Sequence, residues 1–98
     1  MNITHHFGGG VYVKESFLQA GESGQKHIHS FDHLSTLATG VVRLQVDEEV
    51  QTITGPSVIT VKAGKAHKVT ALTDCVWLCI HATDCTDPEQ IDNHIMEG

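Results

Sequence analysis

Val41-Val42-Arg43-Leu44-Gln45-Val46-Asp47-Glu48-Glu49-Val50-Gln51-Thr52-Ile53-Thr54-Gly55-Pro56 carries the pattern on which the fold turns. Val42, Leu44 and Val46 alternate with Arg43 and Gln45, a period of two that puts the apolar set on one face of a strand. Asp47-Glu48 then turns the chain into a second strand, Val50 to Thr54, and Gly55-Pro56 turns it again. This spacing predicts an antiparallel meander. Upstream, further strands are expected at Val11 to Leu18 behind Gly8-Gly9-Gly10, at Lys26 to Ser30 behind Gly21-Glu22-Ser23-Gly24, and at Leu34 to Thr39 ahead of Gly40. Downstream, Ser57 to Lys62 and His67 to Leu72 flank Ala63-Gly64-Lys65-Ala66, which reads as another hairpin. Cys75 to His81 is apolar on both faces, with Val76, Leu78 and Ile80 on one and Cys75, Trp77, Cys79 and His81 on the other, as a central strand requires. Asp87-Pro88-Glu89-Gln90 has the form of a helix start, and Ile91 and Ile95 share a face, so one short C-terminal helix is expected. Many short strands between turn signals indicate an all-β sandwich or barrel.

The chain has 98 residues, enough for a single domain over residues 1–98 with one site. Six Lys and Arg against 12 Asp and Glu give a net charge of −6, which repels a phosphate backbone and argues against nucleic acid as a partner. No run approaches the roughly 18 to 20 apolar residues that cross a bilayer, and no basic segment precedes an apolar one at the N-terminus, so neither a membrane span nor a signal is expected. Cys75, Cys79 and Cys85 are an odd set that fits reduced thiols in a cytoplasmic protein. On one strand Cys75 and Cys79 stand roughly 13 Å apart, beyond disulfide reach, and are read as core residues.

Eight histidines are a high load for an all-β chain. His27 and His29 are two apart in an expected strand and so project to one face, as a chelate built on a sheet needs. His33 can return across the next turn, and His67 can reach the same point from a neighbouring strand. Neutral imidazole suits Mn, Fe, Co, Ni, Cu or Zn. The plainer alternative for a His-x-His pair is a half-exposed polar face.

The frame around these residues narrows the choice. Gly21, five residues, His27-Ile28-His29, three residues, His33, six residues and Gly40 is followed by Gly64-Lys65-Ala66-His67. This pattern resembles the cupin superfamily, whose first signature is glycine, five residues, His-x-His, three or four residues, glutamate, six residues, glycine, and whose second is Pro-x-Gly, two residues, histidine. The first covers about residues 21–40 and the second about 55–71. His33 stands where the family has glutamate, Lys62 where it has the second-motif proline, Ala71 where it often has asparagine, and the leading glycine of the second motif is displaced to Gly55. The resemblance implies a small cupin-like jelly-roll β-barrel holding one divalent metal (Mn, Fe, Ni, Cu or Zn) on His27, His29, His33 and His67. It also implies a homodimer paired through barrel edges.

Four neutral ligands leave the full charge on the metal, which favours anionic or enolisable oxygen ligands. Replacing the glutamate also removes a ready-made base. The expected activity is that of an oxygenase-like, metal-dependent enzyme, an oxidoreductase such as a dioxygenase, acting on a small oxygen-rich substrate. The alternatives are sugar isomerase or lyase chemistry and a non-catalytic metal- or ligand-binding module. His81 is the candidate pocket acid or base, or the partner of a ligand, against the plainer reading of a hydrogen-bonded core histidine. Trp77 and Cys79 read as core, His5 and His6 as surface residues on a mobile terminus, and His94 as a tail residue with no place in the pattern. Lys62, Lys65 and Lys68 surround His67 and either attract an anionic substrate or protect a strand edge.

Overall fold

The computed structural model describes residues 1–24 and 32–83. The expected strand at Lys26 to Ser30, with His27 and His29, lies outside the described residues, as do Cys85, His94 and the expected C-terminal helix. The described residues form eight strands: β1 (Asn2–Gly8), β2 (Val11–Leu18), β3 (His33–Thr39), β4 (Val41–Val46), β5 (Glu49–Thr54), β6 (Ser57–Val61), β7 (His67–Ala71) and β8 (Cys75–Ala82). They make a five-stranded sheet in the order β1-β2-β8-β3-β6 and a three-stranded sheet in the order β5-β4-β7. Every pairing is antiparallel. β8 has partners on both sides, the central position expected of it; Cys75, Trp77 and His81 on its inner face are buried, and Val76, Leu78 and Ile80 on the other face are half-buried.

Two expectations about connectivity are corrected. β4 and β5 do form a hairpin, but β6 pairs with β3 in the other sheet, so Gly55-Pro56 is a crossing between sheets and not the next turn of a meander. β6 and β7 likewise belong to different sheets, so Ala63-Gly64-Lys65-Ala66 links the two layers and is no hairpin loop. A third correction concerns the N-terminus. Residues 2–8 pair along their whole length with β2, so His5 and His6 sit on a strand.

The two sheets enclose a core of Leu18, Leu37, Val42, Leu44, Val69, Ala71, Cys75 and Trp77. Gly40 alone carries the chain from β3 to β4, at φ 96°, and a β-carbon there would overlap the Asp74 carbonyl oxygen and lie 2.6 Å from Cys75 Cβ. The neighbouring crossing at Gly55 is tied to it, since the Gly55 N–H donates to the Gly40 carbonyl at 2.9 Å. A β-carbon on Gly55 would stand 2.9 Å from the Leu37 carbonyl oxygen. Only glycine fits these two corners, where the chain crosses from one sheet to the other.

Candidate functional site

Residues facing each other across antiparallel strands share a face, so the registers read as rows on the inner surface of the larger sheet. Phe7 pairs with Tyr12, Tyr12 with His81, and His33 with Val61. One step beyond the Leu34–Ile80 pair, His33 stands opposite His81, and their ring centroids are 4.5 Å apart. The next row is His5, Lys14, Cys79, Ser35 and Ile59. Beyond it, Ser16, Trp77 and Leu37 belong to the packed interior. One half of the interior is therefore apolar core, and the other half is histidine, tyrosine, lysine, serine and thiol.

The smaller sheet contributes His67, the first residue of β7, opposite Val46 of β4. Its ring lies across the interior from His33, with centroids 5.9 Å apart and planes tilted by 58°. His33, His67 and His81 are all buried, at 6%, 7% and 3% exposure. Two imidazoles sharing one ion have centroids roughly 4.5–6.4 Å apart for metal–nitrogen bonds of about 2.1 Å, so the His33–His67 spacing suits a common metal. Among the described residues no group of three or more His, Cys, Asp or Glu side chains forms a ligand set. His33 and His67 are the described half of the expected four, and His27 and His29 are the other half.

The chain on either side of residues 25–31 is anchored beside this pair. Residues 21–24 run antiparallel to β7: the Gly21 N–H donates to Ala71 O and the Gly24 N–H to Val69 O, at 2.8 and 3.0 Å. Asp32, next to His33, accepts the Ala63 N–H at 2.8 Å and lies 3.6 Å from Lys62 Nζ. That N–H first, then the Lys62 ammonium, holds the Asp32 carboxyl below the usual carboxylate range. Asp47 fixes the other end of the same loop, accepting the Ala66 N–H at 3.0 Å while its own N–H donates to Ala66 O at 2.7 Å. The segment ahead of His67 is thus tied both to the start of β3 and to the β4–β5 turn.

Sequence reasoning placed His81 on the Trp77–Cys79 face, and that face is the inner one, beside His33. Trp77 is core, as expected. Cys79 is only half-buried by exposure; it accepts a hydrogen bond from Ser35 Oγ at 3.7 Å, and desolvation pushes its thiol pKa up. The residues missed are Tyr12, Ser35, His5 and Lys14. Tyr12 is wholly buried, stacks over His81 at 6.1 Å and shares a 2.7 Å hydrogen bond with His5 Nδ1. His6 points to the opposite face of β1 and pairs with Glu15 at 2.7 Å. The alternation Tyr12, Lys14, Ser16, Leu18 was visible, but Val11, Val13 and Phe17 make the other face equally apolar, so period alone did not reveal which side faces in.

The Cupin domain family model matches residues 15–81, from β2 through β8. The chain belongs to the cupin family. Solved cupins share its fold at low identity. A cupin 2 domain-containing protein from Halorhodospira halophila is 14% identical with a TM-score of 0.76, covering 93% of this chain and 73% of its own. A cupin superfamily protein from Desulfitobacterium hafniense is 19% identical with a TM-score of 0.71, covering 85% and 79%. An RmlC-like cupin from Shewanella frigidimarina is 18% identical with a TM-score of 0.67, covering 88% and 86%. No curated protein matches the chain in sequence. Among the described residues no helix is long and apolar enough to cross a membrane.

Proposed function

We propose that this cupin, a single domain over residues 1–98, is a metal-dependent enzyme. In this reading His27, His29, His33 and His67 hold one divalent transition metal, and a small oxygen-rich substrate reaches it from the polar half of the interior. The observation that carries the reading is the pair of buried imidazoles, His33 and His67, 5.9 Å apart on opposite sheets. When bound, a divalent ion in an all-imidazole shell keeps its full charge and polarises anionic or enolic oxygen on the substrate.

The remaining chemistry belongs to the chain. His81 is the buried imidazole beside His33 in that shell, and in this reading it holds or moves a proton at the substrate. Tyr12 packs over His81 and, pinned by His5, fixes the ring plane. An oxygenase-like reaction is the first reading. Because His81 supplies the proton carrier that the isomerase and lyase reactions need, these form the second reading. A non-catalytic metal- or ligand-binding module is the remaining reading; against it stand Lys14 and Cys79, polar and only partly buried on the inner face next to the histidine row.

The reduced thiols fit a cytoplasmic setting, and a homodimer through the β6 edge completes the proposal. β6 ends the five-stranded sheet, and its outward Val58 and the adjacent Leu34 are 68% and 46% exposed. The activity is tested by following dissolved O₂ on candidate diketones and phenols with metal-loaded protein. Uptake that disappears in His81→Gln while metal content stays constant supports the oxygenase with His81 at its centre. Absence of uptake, with metal-dependent turnover of a sugar substrate instead, selects the isomerase or lyase reading.

A further inference from the structure

Lys14 faces inward from the middle of β2, between His5 on β1 and Cys79 on β8. Ser35, wholly buried, stands on the far side of Cys79. Lysine on the inner face of a barrel is costly, because the ammonium loses hydration there unless an anion replaces it. Among the described residues no carboxylate lies within ion-pair distance of it. Its neighbour Glu15 is on the outer face, paired with His6. The Lys14 ammonium is close enough to the Cys79 thiol for its charge to oppose, in small part, the rise that burial imposes there. Lys14 and Cys79 also keep partial exposure although they point between the sheets, so a solute can approach this row.

We infer that Lys14 is the anion anchor of the site, holding the free carboxylate of a small organic acid whose other end is seated at the histidines. The inference rests on the proposed metal reading and names its substrate class. Lys14 and His81 are diagonal neighbours on adjacent strands, roughly 7–8 Å apart along the backbone and somewhat less between Cβ atoms. A short carbon chain with a chelating head and a distal carboxylate spans that interval. The protein's charge of −6 works against non-specific uptake of a dianion, so a preference for one marks a defined site.

The test is calorimetric titration of the Ni²⁺-loaded protein with two probes, 2-oxoglutarate and 2-oxopentanoate, which share the 2-oxo acid head and chain length and differ in the distal carboxylate. Wild type is expected to bind the dicarboxylate roughly tenfold or more tightly. Lys14→Met should bring the two within about twofold at unchanged nickel stoichiometry, and Lys14→Arg should retain most of the preference. Equal affinities in nickel-loaded wild type, or a preference that survives in Lys14→Met, overturn the Lys14 assignment and leave the histidine reading standing. Wild type that takes up no nickel overturns the histidine reading and this inference with it.

Discussion

The Tyr12 hydroxyl, buried among aromatic rings, has His5 Nδ1 at 2.7 Å. Tyr12→Phe removes that bond while keeping the ring over His81, and it should cost about 1 kcal/mol, read as a lower urea midpoint at constant slope. Cys79 offers a second check at this scale. Burial raises its thiol pKa above the ordinary value near 9, so its thiolate fraction is smaller than that of a free cysteine at every pH below the raised value. Alkylation of Cys79 by iodoacetamide, followed residue by residue by mass spectrometry, should be slow at pH 8 and still be rising beyond about pH 10, where a free thiol levels off. A rate that levels off below pH 8 would mean a depressed pKa and an activated thiol. His33 and His67 were legible as candidates because the cupin spacing singles them out. Lys14 was not, because a strand with two half-apolar faces does not declare which one turns inward.

At the scale of elements, the sheet crossings decide the architecture. Gly40 has a positive φ and no room for a β-carbon, so Gly40→Ala should destabilise the protein by about 2–4 kcal/mol through backbone strain and overpacking. Gly9→Ala, also at positive φ but with open space around it, carries only the backbone part and should cost less. Seven strands were legible to within a residue at each end because alternation, apolar runs and turn residues mark them: β2, β3, β4, β5, β6, β7 and β8. Which sheet each strand joins was not, since Gly-Pro and Ala-Gly-Lys-Ala turn a chain equally well into a local hairpin or across to the opposite layer. β1 escaped notice for a different reason. Ile3 and Phe7 are its only large apolar residues, and the strand is held by its backbone ladder to β2 more than by burial.

For the whole molecule, the division of the interior into an apolar half and a polar half separates stability from function. Trp77→Ala, in the apolar half, should cost about 3–5 kcal/mol in denaturant melts and leave the histidines in place in whatever fraction remains folded. The proposed homodimer makes its own prediction: Val58→Glu on the β6 edge should shift sedimentation from dimer to monomer, and an unchanged coefficient places the contact elsewhere. Whether the histidines hold a metal is read by elemental analysis of protein purified without a histidine tag, with His27→Ala and His67→Ala alongside. One equivalent of a divalent transition metal is expected in wild type, with a sharp loss in both variants. Wild type that stays metal-free after supplementation, or variants that retain the full equivalent, would contradict the metal site.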